Sequence, residues 1–528
     1  MTGFVHALLR NRLGRRRVAG LDGADMLLKA GDTCWRAERA DRGALIIDMA
    51  EYFAAAKAAF LAARSTIHLL NWAFDPDTLF EPRASGSPRP EDRIGPFLRK
   101  LACDRPELDV RILCWKSALP IAATQGFFPH RAKKCFDGTP VKFLLDASVP
   151  LGACHHQKMI IVDDAVAFCG GGDIAPDRWD TAAHLDHDPR RRKSRRSTKD
   201  FASRHELMSV VEGPAAAALG ALFRDRWRRA TGETPPSAAR RGEGLWPERI
   251  APDFRGIAAG ISRTIPRWSG ALAVRENEAL HLAAIKAARR CIYLENQYVT
   301  SPLIAEALAE RLAEADGPEV VLVSTAHSPS WFDQATMDRA RSRFLRAVAA
   351  ADRHGRFRAY LPVTKDGEFI IVHAKLAVID DRLLRIGSAN LVNRSMGFDT
   401  ECDLSFEARS ADRPARATIA ALRTRLIAHW LGCGRPEVEL AIAEAGGVGA
   451  GIERLRAAGF TRLHPLTPSP LGPLAAVVAS WHLGDPVGVT DSWRPWKRGA
   501  ALQLRREIAA AALDVGGACA EVVKPTAA

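Results

Sequence analysis

The chain has 528 residues, more than one hydrophobic core serves, so two domains with an appendage are the natural division. Its 75 Lys and Arg against 61 Asp and Glu leave a net charge of +14, which attracts phosphate, whether in nucleic acid or on an anionic membrane. No run approaches the ~18 apolar residues of a membrane-spanning helix, and ten scattered cysteines without a C-x-x-C exclude a cysteine-built metal scaffold.

In chain order, residues 1–30 are a basic N-terminal segment containing Arg15, Arg16 and Arg17. Met1–Leu13 carries His6, Arg10 and Arg12 and so lacks the clean apolar centre and cleavage site of a secretory signal. Residues 31–230 read as a first α/β domain. Ala62–Asn71 is the end of an Ala-rich helix running into a strand, and further strands are expected at Val110–Trp115, Val141–Leu145 and Gln157–Val162. Cys103, Cys114, Cys169 and Cys291 lie in apolar surroundings and read as small core residues, which fits a reducing compartment. The run Arg190-Arg191-Arg192-Lys193, continuing through Arg195, Arg196 and Lys199, is a solvated loop or a rim that holds an anionic bilayer near the mouth of a site. Residues 231–262 are the connector, with Pro235-Pro236, Gly242, Gly244 and Pro247. Residues 263–435 repeat the first pattern: Ala287–Asn296, then strands at Val320–Ser324, Arg358–Leu361 and Ala374–Ile379. Residues 436–528 form an appendage of Ala-rich helices in which no chemistry is legible. Strands alternating with helices imply α/β layers around a mostly parallel sheet, and the same order occurring twice implies duplication.

One motif sits at matching places in the two halves. His156-x-Lys158-x4-Asp163-x6-Gly170 returns as His373-x-Lys375-x4-Asp380-x6-Gly387, 217 residues later (373 − 156). Alternation along a strand puts His156 and Lys158 on one side, and His373 and Lys375 likewise. A single His-x-Lys is worthless as a sign of function. A structural repeat, however, preserves apolar positions without any need to preserve His, Lys, Asp and Gly at matching offsets. An imidazole beside a fixed ammonium is half of a phosphate-handling site. Asp163 and Asp380 fall in tight hairpin turns and read as shapers of the backbone, not as proton carriers. The return strands end in Gly170-Gly171-Gly172-Asp173 and Gly387-Ser388-Ala389-Asn390. Glycine there, Gly171 included, lets amides approach an anion, and Ser388 and Asn390 can donate to phosphoryl oxygens. An ionised Asp173 cannot, so its side is expected to face a leaving group or a cationic headgroup.

These residues resemble the phospholipase D superfamily, and its phosphatidylcholine-hydrolysing bacterial branch in particular. The resemblance runs through His155-His156-Gln157-Lys158, Ala167–Asp173, Arg178-Trp179-Asp180, Ile292–Gln297 and Arg394-Ser395-Met396-Gly397, covering roughly residues 30 to 435. It implies two pseudo-symmetric domains around one interface site, with no metal in the chemistry. It also implies His156 as nucleophile and His373 as general acid and base, although the residues alone leave that order open. Lys158, Lys375, Ser388 and Asn390 would hold the phosphoryl oxygens. Asp180 and Glu401 are the acids the resemblance assigns to orient the opposite histidine. Trp72 and Trp179 are candidates for a headgroup pocket, where an aromatic face suits choline. Glu295 and Asn296 either orient substrate or support the second motif loop. His205-Glu206 stands where relatives carry a His-Asp pair. The expected activity is hydrolysis of phosphatidylcholine-type lipid to phosphatidate and free headgroup, with transfer to alcohols as a side reaction. Cardiolipin synthase-like phosphatidyl transfer and nucleic-acid cleavage are the competing readings. The expected partners are a phospholipid surface and water or an alcohol as acceptor, with no dedicated nucleic acid. A monomer without a required cofactor, cytoplasmic or peripheral to the membrane, completes the expectation; signal-independent export and calcium assistance stay open.

Overall fold

Short apolar strands pair side by side into one 16-stranded sheet that runs unbroken through both halves of the chain. The structure is a computed structural model and describes residues 25–85, 88–117, 128–191, 201–239, 244–328, 330, 333–470 and 481–521. The first half contributes β1 (Arg36–Ile47), β2 (Thr66–Asn71), β3 (Asp109–Trp115), β4 (Lys142–Asp146), β5 (Met159–Val162), β6 (Val166–Gly170), β7 (Arg204–His205) and β8 (Leu207–Glu212). The second half contributes β9 (Phe254–Ile265), β10 (Val274–Arg275), β11 (Cys291–Asn296), β12 (Glu319–Val323), β13 (Phe357–Pro362), β14 (Ile371–Val372), β15 (Lys375–Ile379), β16 (Leu383–Gly387) and β17 (Glu401–Glu407). A last strand, β18 (Leu463–Pro465), comes from the tail.

The spatial order is β18-β13-β12-β11-β15-β16-β17-β9-β1-β8-β6-β5-β2-β3-β4, which reads the same outward from the β1–β9 seam in either direction until β18. The duplication expected from the sequence is thus a two-fold arrangement of strands. The sheet is mixed, not mostly parallel. Only β2-β3-β4 and β11-β12-β13 pair in parallel, while the middle of the sheet is antiparallel. Hairpin turns join β5 to β6 and β15 to β16, and a hairpin can only produce antiparallel neighbours. Every residue of β2, β5, β6, β11, β15 and β16 is buried, because helices cover both faces. Met49–Ala62 packs on one face of the first half, and Pro214–Thr231 joins a core shared with the second half.

Several boundaries move. Residues 254–262, expected in the connector, begin β9, so the link between the halves is itself a central strand. The appendage does supply helices, at Arg435–Ala445, Val448–Ala457 and Arg498–Glu521, but β18 also caps the sheet edge beside β13. Cys103 is exposed near the end of its helix, whereas Cys114, Cys169 and Cys291 are buried as expected. Arg15–Arg17 and residues 192–200 of the basic run lie outside the described residues. Arg190 and Arg191 are not free cations: the first pairs with Asp188, the second binds Ser203 and the Phe201 carbonyl. Among the described residues no helix is long and apolar enough to cross a membrane.

Candidate active site

Asp163 and Asp380 fix the floor of the site. Asp163 (φ 51°) accepts the backbone N–H groups of Arg64, Ser65 and Thr66, each at 2.7 Å. Asp380 (φ 51°) does the same for Arg289, Arg290 and Cys291 at 2.7–2.9 Å. Each carboxylate therefore clamps the start of the strand beside its own hairpin, satisfying three amides that precede β2 or β11. They shape the backbone, though by gripping a neighbouring segment and not their own turn.

With β5 and β15 so placed, the motif residues come forward in mirror image. The His156 amide donates to the Thr400 carbonyl at 2.9 Å, and the His373 amide to the His205 carbonyl at 2.8 Å. Each histidine is thus tied to the residue just before an acid of the other half. The consequence follows at once: His156 Nδ1 lies 2.9 Å from Glu401 Oε2, and His373 Nδ1 lies 2.8 Å from Glu206 Oε2. His156 Nδ1 is also 3.1 Å from the Ser388 carbonyl, which can only accept, so Nδ1 carries the proton and Nε2 keeps its lone pair. The lysines fold back along their strands. Lys158 Nζ donates to the His156 carbonyl at 2.7 Å and lies 3.4 Å from Asp173, while Lys375 Nζ donates to the His373 carbonyl and to Gln297 Oε1.

The electrostatics couple the two halves. Burial holds His156 well below its ordinary imidazole value, and Lys158 and then Lys375 push it further. Burial does the same to His373, followed by Lys375, Arg178, Arg204 and Lys158. Each lysine therefore acts on the histidine of the other half as well as its own. Burial also raises the Glu401 carboxyl to about 8, against the downward pull of Lys158 and of the Ser388 and Ser395 hydroxyls. Glu206 is raised likewise by burial and held back by Arg178, Arg204 and Lys375. The side chains of His156 and His373 remain 16% and 7% exposed, so both rings keep contact with solvent.

Residues 281–423 match a family model described as "Cardiolipin synthase, PLD-like domain". The chain is similar to phospholipase D1 of Saccharomyces cerevisiae, 22% identical over 80% of this chain and 30% of the relative. It is also similar to phospholipase D A of Dictyostelium discoideum, 23% identical over 69% of this chain and 32% of the relative. Residues 281–423 thus match a phospholipase D-like domain, and the chain as a whole is similar to phospholipases D. It spans about a third of the length of those two relatives. A solved structure, phosphatidylserine synthase of Haemophilus influenzae Rd KW20, shares the fold with a TM-score of 0.50 at 13% identity, covering 89% of this chain and 96% of that one.

Within this site, several expected residues take other duties. Asp180 does not reach His373; it binds His184 Nδ1 at 3.0 Å and the Arg204 amide at 3.0 Å, because the chain beyond it turns away from the motif strand. Ser388 gives its hydroxyl to Glu401 at 2.5 Å and its amide to Asp403, so it braces the acid. The Gly171 amide bonds the Leu207 carbonyl, and so is not free for an anion. Its missing side chain matters instead for close approach, since a Cβ there would sit 3.2 Å from the His373 carbonyl and 3.2 Å from Lys375 Cδ. Asp173 accepts the amides of Trp72 and Ala73 at 3.0 and 3.1 Å and faces Lys158, not a headgroup. Asn390 has a buried Oδ1 with no partner among the described residues; that atom accepts and cannot meet a phosphoryl oxygen, which only the Nδ2 donor could do. Trp72 stands edge-on to His156, with ring centroids 6.4 Å apart, and is in place to line the pocket. Trp179 belongs to the hydrophobic core, its face covered by Arg190 at 5.0 Å. Asn296 supports the second loop by accepting the Leu391 amide. Glu295 is fully buried and binds His205, Tyr293 and Trp430, so neither it nor His205 touches the pocket.

The sequence marks His205-Glu206 as the counterpart of a His-Asp pair without giving Glu206 a task; the structure puts its carboxylate on His373. Glu206 lies immediately before β8, whereas Glu401 is the first residue of β17. Its offset from the histidine of its own half is 50 residues (206 − 156), against 28 for Glu401 (401 − 373). The longer excursion between β6 and β8 hides the equivalence in the sequence.

Proposed function

We propose that the chain is a phospholipid phosphodiesterase of the phospholipase D type, which cleaves phosphatidylcholine-like lipids to phosphatidate and free headgroup. The observation that carries this is the crossed pair of imidazole–carboxylate contacts, His156–Glu401 at 2.9 Å and His373–Glu206 at 2.8 Å. Two histidines with oriented Nδ1–H groups leave two Nε2 atoms for chemistry at one phosphorus. His156, the more open ring, attacks phosphorus through Nε2 while the P–O bond to the headgroup breaks. His373 gives its Nε2 proton to the departing alkoxide, and Glu206 steadies the ring. The phosphatidyl group is now bonded to His156. His373 then takes a proton from water as the water oxygen attacks phosphorus, which releases phosphatidate and restores both rings. The anionic diester favours the protonated form of His373 and the charged form of Lys375, both of which burial otherwise disfavours. Lys158, Lys375 and Asn390 balance charge on the phosphoryl oxygens. Asp163 and Asp380 hold the strands, and no metal takes part in the steps.

Phosphatidyl transfer is a second reading, favoured by the cardiolipin synthase wording of the matching family model. It differs only in which hydroxyl meets the phosphatidyl-histidine. In either case the protein works as a monomer at a phospholipid surface, peripheral to the membrane. A panel of phosphatidylcholine, phosphatidylethanolamine and phosphatidylglycerol vesicles, with and without 1-butanol, tests both. Phosphatidate without alcohol and phosphatidylbutanol with it are expected from phosphatidylcholine. Cardiolipin formed from phosphatidylglycerol would shift the assignment to transfer, and cleavage of single-stranded DNA with all lipids intact would overturn it.

A further inference from the structure

Behind the His373 side of the site, four ligand-bearing side chains meet that the proposed reaction does not use. Asp48, His184, His205 and His429 each offer one donor atom, and these four atoms lie within 4.8 Å of one another. They come from distant segments: the turn after β1, the loop beyond Asp180, strand β7 and the helix Arg413–Leu431. Three belong to the first half and His429 to the second. Asp48, His184 and His205 are buried, and His429 is half-buried.

We propose that these residues bind one zinc ion as a closed structural site. His184 Nε2 is 3.2 Å from His429 Nε2 and 3.5 Å from Asp48 Oδ2, and His205 Nδ1 is 3.0 Å from Asp48 Oδ1. Zinc bonds of ~2.0–2.1 Å in a tetrahedron put donor atoms about 3.3–3.4 Å apart, close to the His184–His429 and His184–Asp48 Oδ2 separations, while His205 touches the other oxygen of Asp48. The far nitrogens are already engaged. His184 Nδ1 lies 3.0 Å from Asp180 Oδ2, and His205 Nε2 lies 3.0 Å from Glu295 Oε2. At His184 the carboxylate on the far nitrogen fixes the tautomer and points the Nε2 lone pair inward, as in carboxylate–histidine–zinc arrangements; His205 has a carboxylate at each nitrogen, so its inner nitrogen holds either a proton or the metal. Nitrogen lone pairs and a carboxylate converging in a buried space repel one another unless a proton or a metal cation joins them. Asp48 Oδ2 is buried and has no hydrogen-bond partner among the described residues, an orphan that a metal bond satisfies. Asp48 is also held at φ 68°, an uncommon conformation for a residue other than glycine. Three imidazoles with one carboxylate select zinc over magnesium or calcium, and four protein ligands leave no open position for catalysis.

The site's effect on the reaction would be through position. Asp48 is laced to Glu206, giving its amide to the Glu206 carbonyl and accepting the Glu206 amide on Oδ1. His205 precedes Glu206 and carries the carbonyl that holds the His373 amide. The metal thus pins the two halves together next to the acid that orients His373.

The test uses the full chain, purified without a polyhistidine tag or chelator. Elemental analysis should find about one zinc per chain, and cobalt exchanged into the protein should give the visible absorption of a tetrahedral nitrogen–oxygen site. His429→Ala, at the least buried ligand, should drop zinc to background, and dipicolinate should lower the thermal midpoint of the native chain but not of the variant. If the variant fails to fold, zinc titration of the chelator-treated native chain decides. One tight equivalent that restores the midpoint supports the site. Protein that arrives without zinc, takes up none and melts alike with and without it overturns the proposal, leaving His205 as a cation between Asp48 and Glu295. A site filled by calcium or magnesium overturns it too.

Discussion

The two halves of the candidate site carry the same His, Lys and Glu side chains on different loops. Between β16 and β17 the second half turns in 13 residues (388–400), and its acid follows directly. Between β6 and β8 the first half wanders through 171–206, adding the loop that holds Asp180 and His184 and the short strand β7 before reaching Glu206. The outcome at the histidines is nonetheless matched, with 2.9 Å on one side and 2.8 Å on the other. Strand order and the crossed backbone ties preserve the geometry, and the loops are left free to diverge. The freedom has been used unevenly. His373 lies beneath the β7–β14 pair and is the more enclosed ring, while His156 is edged by Trp72.

Three measurements would sharpen or break this pairing. The largest expected effect comes from the histidines themselves. His156→Ala and His373→Ala should each lower turnover by roughly 10⁴-fold or more, since members of a catalytic unit fail together. They should differ with an activated ester such as a p-nitrophenyl phosphodiester, whose leaving group needs no proton. His373→Ala should still give a burst of p-nitrophenol as His156 is phosphorylated, and His156→Ala should give none. A burst in the reverse variant would exchange the two roles.

A smaller loss is expected at the acids. Glu401→Gln and Glu206→Gln keep size but remove the charge that orients each ring, and should cost on the order of 10²- to 10⁴-fold in kcat with little change in KM. Comparable losses would establish Glu206 as the counterpart of Glu401. An unaffected Glu206→Gln would break the mirror.

The smallest effect concerns pH and stability. Burial keeps both imidazoles neutral in the folded chain below the pH at which unfolded histidine takes a proton. The unfolded state then binds more protons than the folded one, so stability falls as pH drops below about 6.5. One unit below that point each ring should contribute about 1.4 kcal/mol of loss, and His156→Gln should flatten the slope of the urea midpoint against pH. An unchanged slope would mean that the ring is already protonated when folded.

How much of this was legible follows from range. The motif strands were plain, because Met159–Val162 and the part of β15 after Lys375 are continuous apolar runs bounded by turn residues, a local signal. Asp163 and Asp380 were readable as shapers for the same reason. Strand β1 hid behind its charges, since Arg36, Glu38, Arg39 and Arg42 interrupt the apolar alternation. Strand β9 was lost in a stretch rich in turn residues. The antiparallel centre depends on which strands meet, which no local pattern encodes. Glu206 lay beyond a loop of unequal length, and His184 and His429 are 245 residues apart, so their meeting has no motif at all.

The seam where β1 meets β9 has a further consequence. The ladder from Arg36↔Ile261 to Gly43↔Phe254 is what joins one half to the other, and β8 and β17 hang on its two sides. Glu206 and Glu401 stand at the ends of those hanging strands, so the register of the seam works as a ruler for the span between the two imidazoles. Sliding β1 past β9 by a single residue would shift one half against the other and carry each acid off its ring. The reactive centre is therefore calibrated by main-chain pairing far from the phosphorus, and an insertion in the middle of either strand would silence it without touching one catalytic atom.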